Sequence, residues 1–384
     1  MSTGGGRLHH LDALRALAML LGIALHASFR SRPQTGTGAD VLRWLVDVIH
    51  SFRMPLFFLM AGIFAALLVE RRGAAGFVAN RAERIAVPLG IGLLALVPLQ
   101  ELLAASERGQ AVHYTFGGPG HLWFLEFLLV FYLAALALRR VRAVKELTRA
   151  MRARVVGALL GGRVPGLRLA LVTAAILVVA GGWGHTPSTH YLPDPRQLAY
   201  YGVFFGLGWL LFSDLRPLRA LERRPMVYTL VALGLSVPLF FAEKAYFGDG
   251  SRVPYLVLGS IVGVAAITAL YGFTVRVCSR PRPIIRYIVD ASYWMYLMHI
   301  LALWPVDNAL QPLGLAWWAH YPALCAITSG LLLVTYALFV RYSIIGRVLH
   351  GRRERPESVP GRSWRRARSL LRPPRLGEGG APVP

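Results

Sequence analysis

Ten apolar stretches, each near the length that crosses a bilayer, decide what this chain can fold into. They fall at about 11–29, 54–70, 85–104, 121–138, 168–184, 197–213, 226–243, 254–275, 287–306 and 319–340. Roughly 20 apolar helical residues span about 30 Å of hydrocarbon. In lipid every backbone N–H and C=O must be paired within the structure, which makes helices the natural form for runs of this length. Composition agrees: 16% of residues are charged and 55% hydrophobic, whereas soluble domains are about one quarter charged. The expected fold is an all-α integral membrane protein, a bundle of about ten transmembrane helices over residues 1–345. Residues 346–384 read as a basic, disordered tail, rich in Pro, Gly and Arg and without apolar period.

An even number of crossings places both termini on one side, and the basic residues choose the side. Of 42 Lys and Arg, 34 fall in the termini and alternate loops, which the positive-inside rule assigns to the cytoplasm. The net charge of +23 therefore requires no nucleic acid. The linker RRVRAVKELTRAMRARVVG and the basic tail are expected to face the anionic inner leaflet, with membrane lipid as partner. The first run lacks a small-x-small cleavage pattern and holds Arg and His, so it reads as a retained helix. Two cysteines, Cys278 and Cys325, give neither a disulfide framework nor metal-ligand spacing, and no metal is expected. P-loop, GxGxxG, HExxH and GxSxG patterns are absent. GVFFGLG at 202–208 reads as helix packing, and Trp183, Trp209, Trp304, Trp317 and Trp318 as interfacial anchors.

The informative residues are the polar ones inside these runs, because ionisable groups at bilayer depth cost about 2.5–3.5 kcal/mol each on insertion scales. In LDALRALAMLLGIALHASF, Arg15 and His26 are 11 residues apart. That spacing returns to within about 20° of the same helix face and separates them by roughly 16 Å. Asp12 stands one turn before Arg15, at ion-pair spacing. In HSFRMPLFFLMAGIF, His50 and Arg53 precede Pro55, which reads as a helix start. Arg81 and Arg84, at i,i+3 before the third run, can fork onto phosphate oxygens or serve as plain positive-inside charges. GGPGHLWFLEF brings His121, Trp123 and, inside the fourth run, Glu126, which must be paired, protonated or facing a cavity. DASYWMYLMH sets Ser292, Tyr296 and His299 in one polar stripe at i, i+4 and i+7.

Together LDALRALAMLLGIALHAS, HSFRMPLFFLMAGIF, RAERIAVP, HLWFLEFLL and DASYWMYLMH resemble the membrane acyltransferase-3 family, in order, from about residue 7 to 353. The resemblance is to a branch that acts on periplasmic glucans. It implies transfer of an acyl group, succinyl or acetyl, from cytoplasmic acyl-CoA to a hydroxyl of an extracytoplasmic carbohydrate, in the bacterial inner membrane. Acyl-CoA is then a substrate and no cofactor is expected; glucan-synthesis proteins are possible partners. The family's first-helix Arg and His fall on Arg15 and His26, and its basic pair on Arg81 and Arg84. On this reading His26 is the general base and Arg15, Arg81 and Arg84 hold the donor, with His26, Arg15 and Asp12 as the catalytic residues. His50, Arg53, His121, Trp123, Glu126, Ser292, Tyr296 and His299 are candidate substrate-binding residues. The competing reading is a transporter or flippase for a polar substrate, whose polar residues would line a path instead.

Overall fold

Gly73 takes φ 68° and ψ 178°, a backbone conformation that breaks a helix and suits glycine, and it divides the longest helical run of the chain into two limbs. The computed structural model describes residues 9–31, 33, 35–107, 109, 118–180, 192–212, 214–248, 250–278 and 282–350. Among these there is no strand. The helices are α1 (His9–Ser31), α2 (Thr37–Glu107), α3 (Gly120–Arg140), α4 (Arg142–Leu160), α5 (Leu167–Val179) and α6 (Pro195–Leu211). They continue as α7 (Pro225–Phe247), α8 (Val253–Val277), α9 (Pro283–Leu310), α10 (Trp317–Val340) and α11 (Ile344–His350). The expected tail lies outside the described residues from 351 onward, as does Trp183, and α11 crosses the expected boundary at residue 345.

Among the described residues, six helices are long and apolar enough to cross a membrane: α1, α2, α3, α7, α8 and α10. α5 and α6 are shorter, at 13 and 17 residues. The described part of each apolar run is helical apart from Ala180 and Phe212, turn residues just past α5 and α6, but the second and third runs lie on the two limbs of α2. α2 begins at Thr37, well before Pro55, so Pro55 is inside a helix rather than at its start. Leu42, Val46 and Ile49 give the earlier segment an apolar face at helical spacing, and that face is buried. Proline at 55 cannot donate to the Ser51 carbonyl. That carbonyl packs instead against Gly263 of α8, where any side chain would collide with it. Arg81 and Arg84 likewise do not precede a helix. They belong to the second limb of α2, where Ala82–Ala86 and Gly92–Leu96 are π-helical.

α1 is the axis of the molecule. Leu11, Leu14, Ala18, Met19, Ile23, Leu25 and Ala27 are buried around much of its circumference, and it packs against α2, α8, α9 and α10. α2 and α6 cross closely because Gly62 lies against the Phe205 carbonyl and Gly208 against the Leu59 carbonyl. The packing glycine of GVFFGLG is thus Gly208, while Gly206 meets open space. Trp304, expected near a helix end, lies six residues before the end of α9, with the Arg30 guanidinium 5.0 Å from its ring centroid.

Candidate active site

A single cavity of about 760 Å³ brings together twelve of the thirteen candidate residues. Asp12, Arg15 and His26 come from α1, His50, Arg53, Arg81 and Arg84 from α2, His121 and Trp123 from the start of α3, and Ser292, Tyr296 and His299 from α9. Glu126 does not line it; the half-buried carboxyl projects from a different face of α3 than Phe124, Leu125, Leu128 and Tyr132, which do. The spacing of Arg15 and His26 places both along the same wall, one toward each end.

The cavity carries six arginines, Arg15, Arg53, Arg71, Arg72, Arg81 and Arg84, against two aspartates, Asp12 and Asp290. Arg71, Arg72, Tyr201, Asp290 and Tyr293 are lining residues that sequence reasoning did not single out. Two of them stood in plain view, since Asp290 and Tyr293 are one turn apart in DASYWMYLMH. Arg71 and Arg72 read as ordinary loop charges because nothing in the sequence shows that helix continues through them to Gly73.

Around Arg84 the chain is held by α9. The Tyr293 hydroxyl donates to the Arg84 carbonyl at 2.6 Å, at the π-helical turn where the backbone ladder departs from α spacing. The Arg81 guanidinium lies 5.4 Å from the Phe77 ring centroid and 5.1 Å from that of Tyr132. Both arginines have a buried Nε without a hydrogen-bond partner, and among the described residues neither forms an ion pair. At the same end of α1, Arg15 Nη2 donates to the Val289 carbonyl at 3.4 Å, beside Asp290.

The other end of the cavity holds three imidazoles. The His26 and His299 ring centroids are 4.9 Å apart, and those of His121 and His299 are 5.4 Å apart. The hydrogen bonds fix two of the tautomers, because a carbonyl only accepts. His299 Nδ1–H donates to the Tyr296 carbonyl at 2.8 Å, which leaves Nε2 with its lone pair and no partner. His121 Nε2–H donates to the Leu297 carbonyl at 3.2 Å, and its Nδ1 accepts from Gln100 Nε2 at 3.1 Å. Both His121 nitrogens are therefore occupied, and the Tyr296 hydroxyl donates to the His121 carbonyl at 2.8 Å. His121 clamps α3 to α9. Ser292 is also satisfied, donating to the Val289 carbonyl at 2.7 Å. His26 makes ring contacts with Phe29 and His299 and has no hydrogen bond among the described residues. Of the three, His26 and His299 keep a nitrogen for chemistry. Among the described residues no group of three His, Cys, Asp or Glu is arranged to hold a metal ion.

The model of an acyltransferase family, acyltransferase-3, matches residues 8–340, which takes in every cavity residue named above. The chain is 24% identical to "Glucans biosynthesis protein C" of Escherichia coli O81 (strain ED1a), over 90% of this chain and 95% of that protein. The proteins of the same name from Escherichia coli strains K12 / DH10B and O157:H7 (EC4115 / EHEC) match with the same identity and coverage. No solved structure matches the chain significantly.

Proposed function

The chain belongs to the acyltransferase-3 family, and from that premise we propose that this multi-pass membrane acyltransferase is an O-acyltransferase. It moves an acyl group, succinyl or acetyl, from cytoplasmic acyl-CoA to a hydroxyl of an extracytoplasmic carbohydrate. The name of its relatives makes a glucan the acceptor to test first. The observation behind this reading is the cavity itself, with Arg71, Arg72, Arg81 and Arg84 at one end and, at the other, the rings of His26 and His299, whose Nε2 is unpartnered, near Arg53. A donor with anionic phosphates and a reactive thioester fits that polarity. The chain crosses the bacterial inner membrane about ten times with both termini in the cytoplasm, an orientation favoured by 34 of 42 basic residues.

Arg81 and Arg84, with Arg71 and Arg72 beside them, hold the phosphates by charge-assisted hydrogen bonds. The pantetheine arm runs past Arg15 along α1, over the roughly 16 Å that lead to His26. There the acceptor hydroxyl attacks the thioester carbonyl while neutral His26 takes its proton. The C–S bond then breaks, an ester forms, and the protonated imidazole returns the proton to the departing thiolate. Acyl ester and free thiol are the products, with every proton accounted for. His299, its Nδ1 committed to Tyr296, presents a lone pair beside His26 and helps to orient it.

The test uses inverted membrane vesicles loaded with glucan and given radiolabelled acetyl- or succinyl-CoA from outside. Label on lumenal glucan is the expected result. Absence of label from any acceptor with either donor, while the protein is folded and inserted, contradicts the reading.

A further inference from the structure

Phe29 is the one exposed residue of α1. It is 50% accessible, and it lines the cavity. α1 is enclosed by α2, α8, α9 and α10, so the open face of this ring is turned to the cavity rather than to lipid. An aromatic face left in water forgoes the gain of burying it. Deeper in the cavity the rings are packed on one another, Phe57 on Phe124 at 5.6 Å and Trp123 on Tyr201 at 5.5 Å between centroids. Phe29 instead keeps a flat apolar surface open.

The helix sets where that surface stands. Phe29 follows His26 by three residues, about 60° round the helix and about 4.5 Å along it, and the two ring centroids are 6.1 Å apart. In the proposed orientation this step leads outward, so Phe29 stands between His26 and the extracytoplasmic side. The neighbouring Arg30 is committed elsewhere, its guanidinium bound to Asp307 and Glu107 and lying over the Trp304 ring. At the same end Gly120, next to His121, lines the cavity with exposed backbone at φ 53° and presents no side chain to an incoming group.

We propose that Phe29 is the stacking platform for the acceptor, so that this site takes a hydroxyl carried on a pyranose ring in preference to one on an open chain. The inference rests on the proposed transfer to a carbohydrate and names the face by which that acceptor is held. A glucopyranose ring carries its hydroxyls around the rim and C–H bonds on its two faces. One face can lie on the phenyl ring while a rim hydroxyl points toward His26. Phe29 has no polar atom with which to bind a hydroxyl, so what it contributes is the flat surface itself. An open-chain polyol has no such face to offer.

The test measures acylation of glucan by purified protein in detergent micelles, where both faces are open. Phe29→Leu keeps an apolar side chain but removes the ring, and it is expected to raise the KM for glucan by about tenfold. Its kcat and coenzyme A affinity should stay near the wild-type values. Phe29→Trp, which keeps a flat ring, should hold KM at or below that of wild type. With wild-type protein, methyl glucopyranoside should compete with glucan more strongly than sorbitol does at equal concentration, and Phe29→Leu should remove that difference. Phe29→Met, also apolar and without a ring, takes the place of Phe29→Leu if the latter does not fold. An unchanged KM in the ringless variant overturns the inference, and so does equal competition by ring and open chain in wild type. A fall in kcat at unchanged KM would mean that Phe29 supports His26 rather than the acceptor, which also overturns it. Wild-type protein that acylates no carbohydrate at all contradicts instead the transfer reading beneath it.

Discussion

Replacing Asp307 by Ala should destabilise the protein far more than removing the other acid that Arg30 meets. Asp307 is 1% exposed and gathers three helices at one end of the bundle. Its Oδ2 accepts from Arg30 Nε at 2.9 Å and from Gln311 Nε2 at 3.0 Å, and His320 Nε2 of α10 lies 3.3 Å from Oδ1. Hydrogen bonds to charged groups contribute about 1.5–3 kcal/mol each, and breaking a buried pair costs about 3–5 kcal/mol. Arg30 is partly exposed and keeps Glu107 at 2.6 Å, so the lower end applies, about 3 kcal/mol for Asp307→Ala. Glu107 is 34% exposed, and Glu107→Ala should cost no more than about 1 kcal/mol. Thermal unfolding in detergent, followed by a thiol-reactive dye at half-buried Cys278 and Cys325, reads the difference. Because Arg30 is one turn from His26 on α1, Asp307→Ala should also slow acyl transfer. A double-mutant cycle with Arg30→Gln should show strong coupling. Equal melting temperatures for the two acid-to-Ala variants would mean that Asp307 holds these helices no more firmly than Glu107 does.

Arg81→Ala combined with Arg84→Ala should weaken coenzyme A binding by several kcal/mol, if each supplies a charged hydrogen bond of about 1.5–3; equilibrium binding to the purified, still inserted protein checks it, and unchanged affinity refutes the donor role. Glu126→Gln should change the transfer rate less than twofold, since that carboxyl lies outside the cavity; a tenfold fall in a rate assay would return it to the site. In a variant lacking the native cysteines, Gly248→Cys should be labelled by an impermeant thiol reagent from the periplasm and Ala220→Cys from the cytoplasm. Reversal at either position contradicts the orientation.

The cavity was largely legible in the sequence because its residues break the apolar pattern, and a polar group inside such a run has to face something. Arg15 and His26 share a helix face by arithmetic alone. Less legible was the backbone that carries the others. Pro55 reads as a helix start, yet the apolar face of residues 37–53 and the glycine contact at Ser51 let the helix run through it. Arg71, Arg72, Arg81 and Arg84 read as a loop cluster, whereas a continuous α2 with one glycine break places all four on the cavity. The satisfied state of His121 depends on Gln100 and on a carbonyl 176 residues away. No local pattern reports such a contact. Glu126 shows the converse: the sequence demands an explanation for it, and the explanation is not the cavity.

In the proposed mechanism His26 performs the proton transfer while the donor is held elsewhere. The most direct measurement is acyl transfer from CoA by wild type and His26→Ala in the same proteoliposomes, with coenzyme A affinity measured in parallel. His26→Ala is expected to lose about 10²–10⁴-fold in rate and the acid limb of the rate–pH profile, with coenzyme A affinity within twofold of wild type. Near-normal turnover in a folded His26→Ala protein would contradict it and transfer the role to His299, whose free Nε2 lies beside the same space.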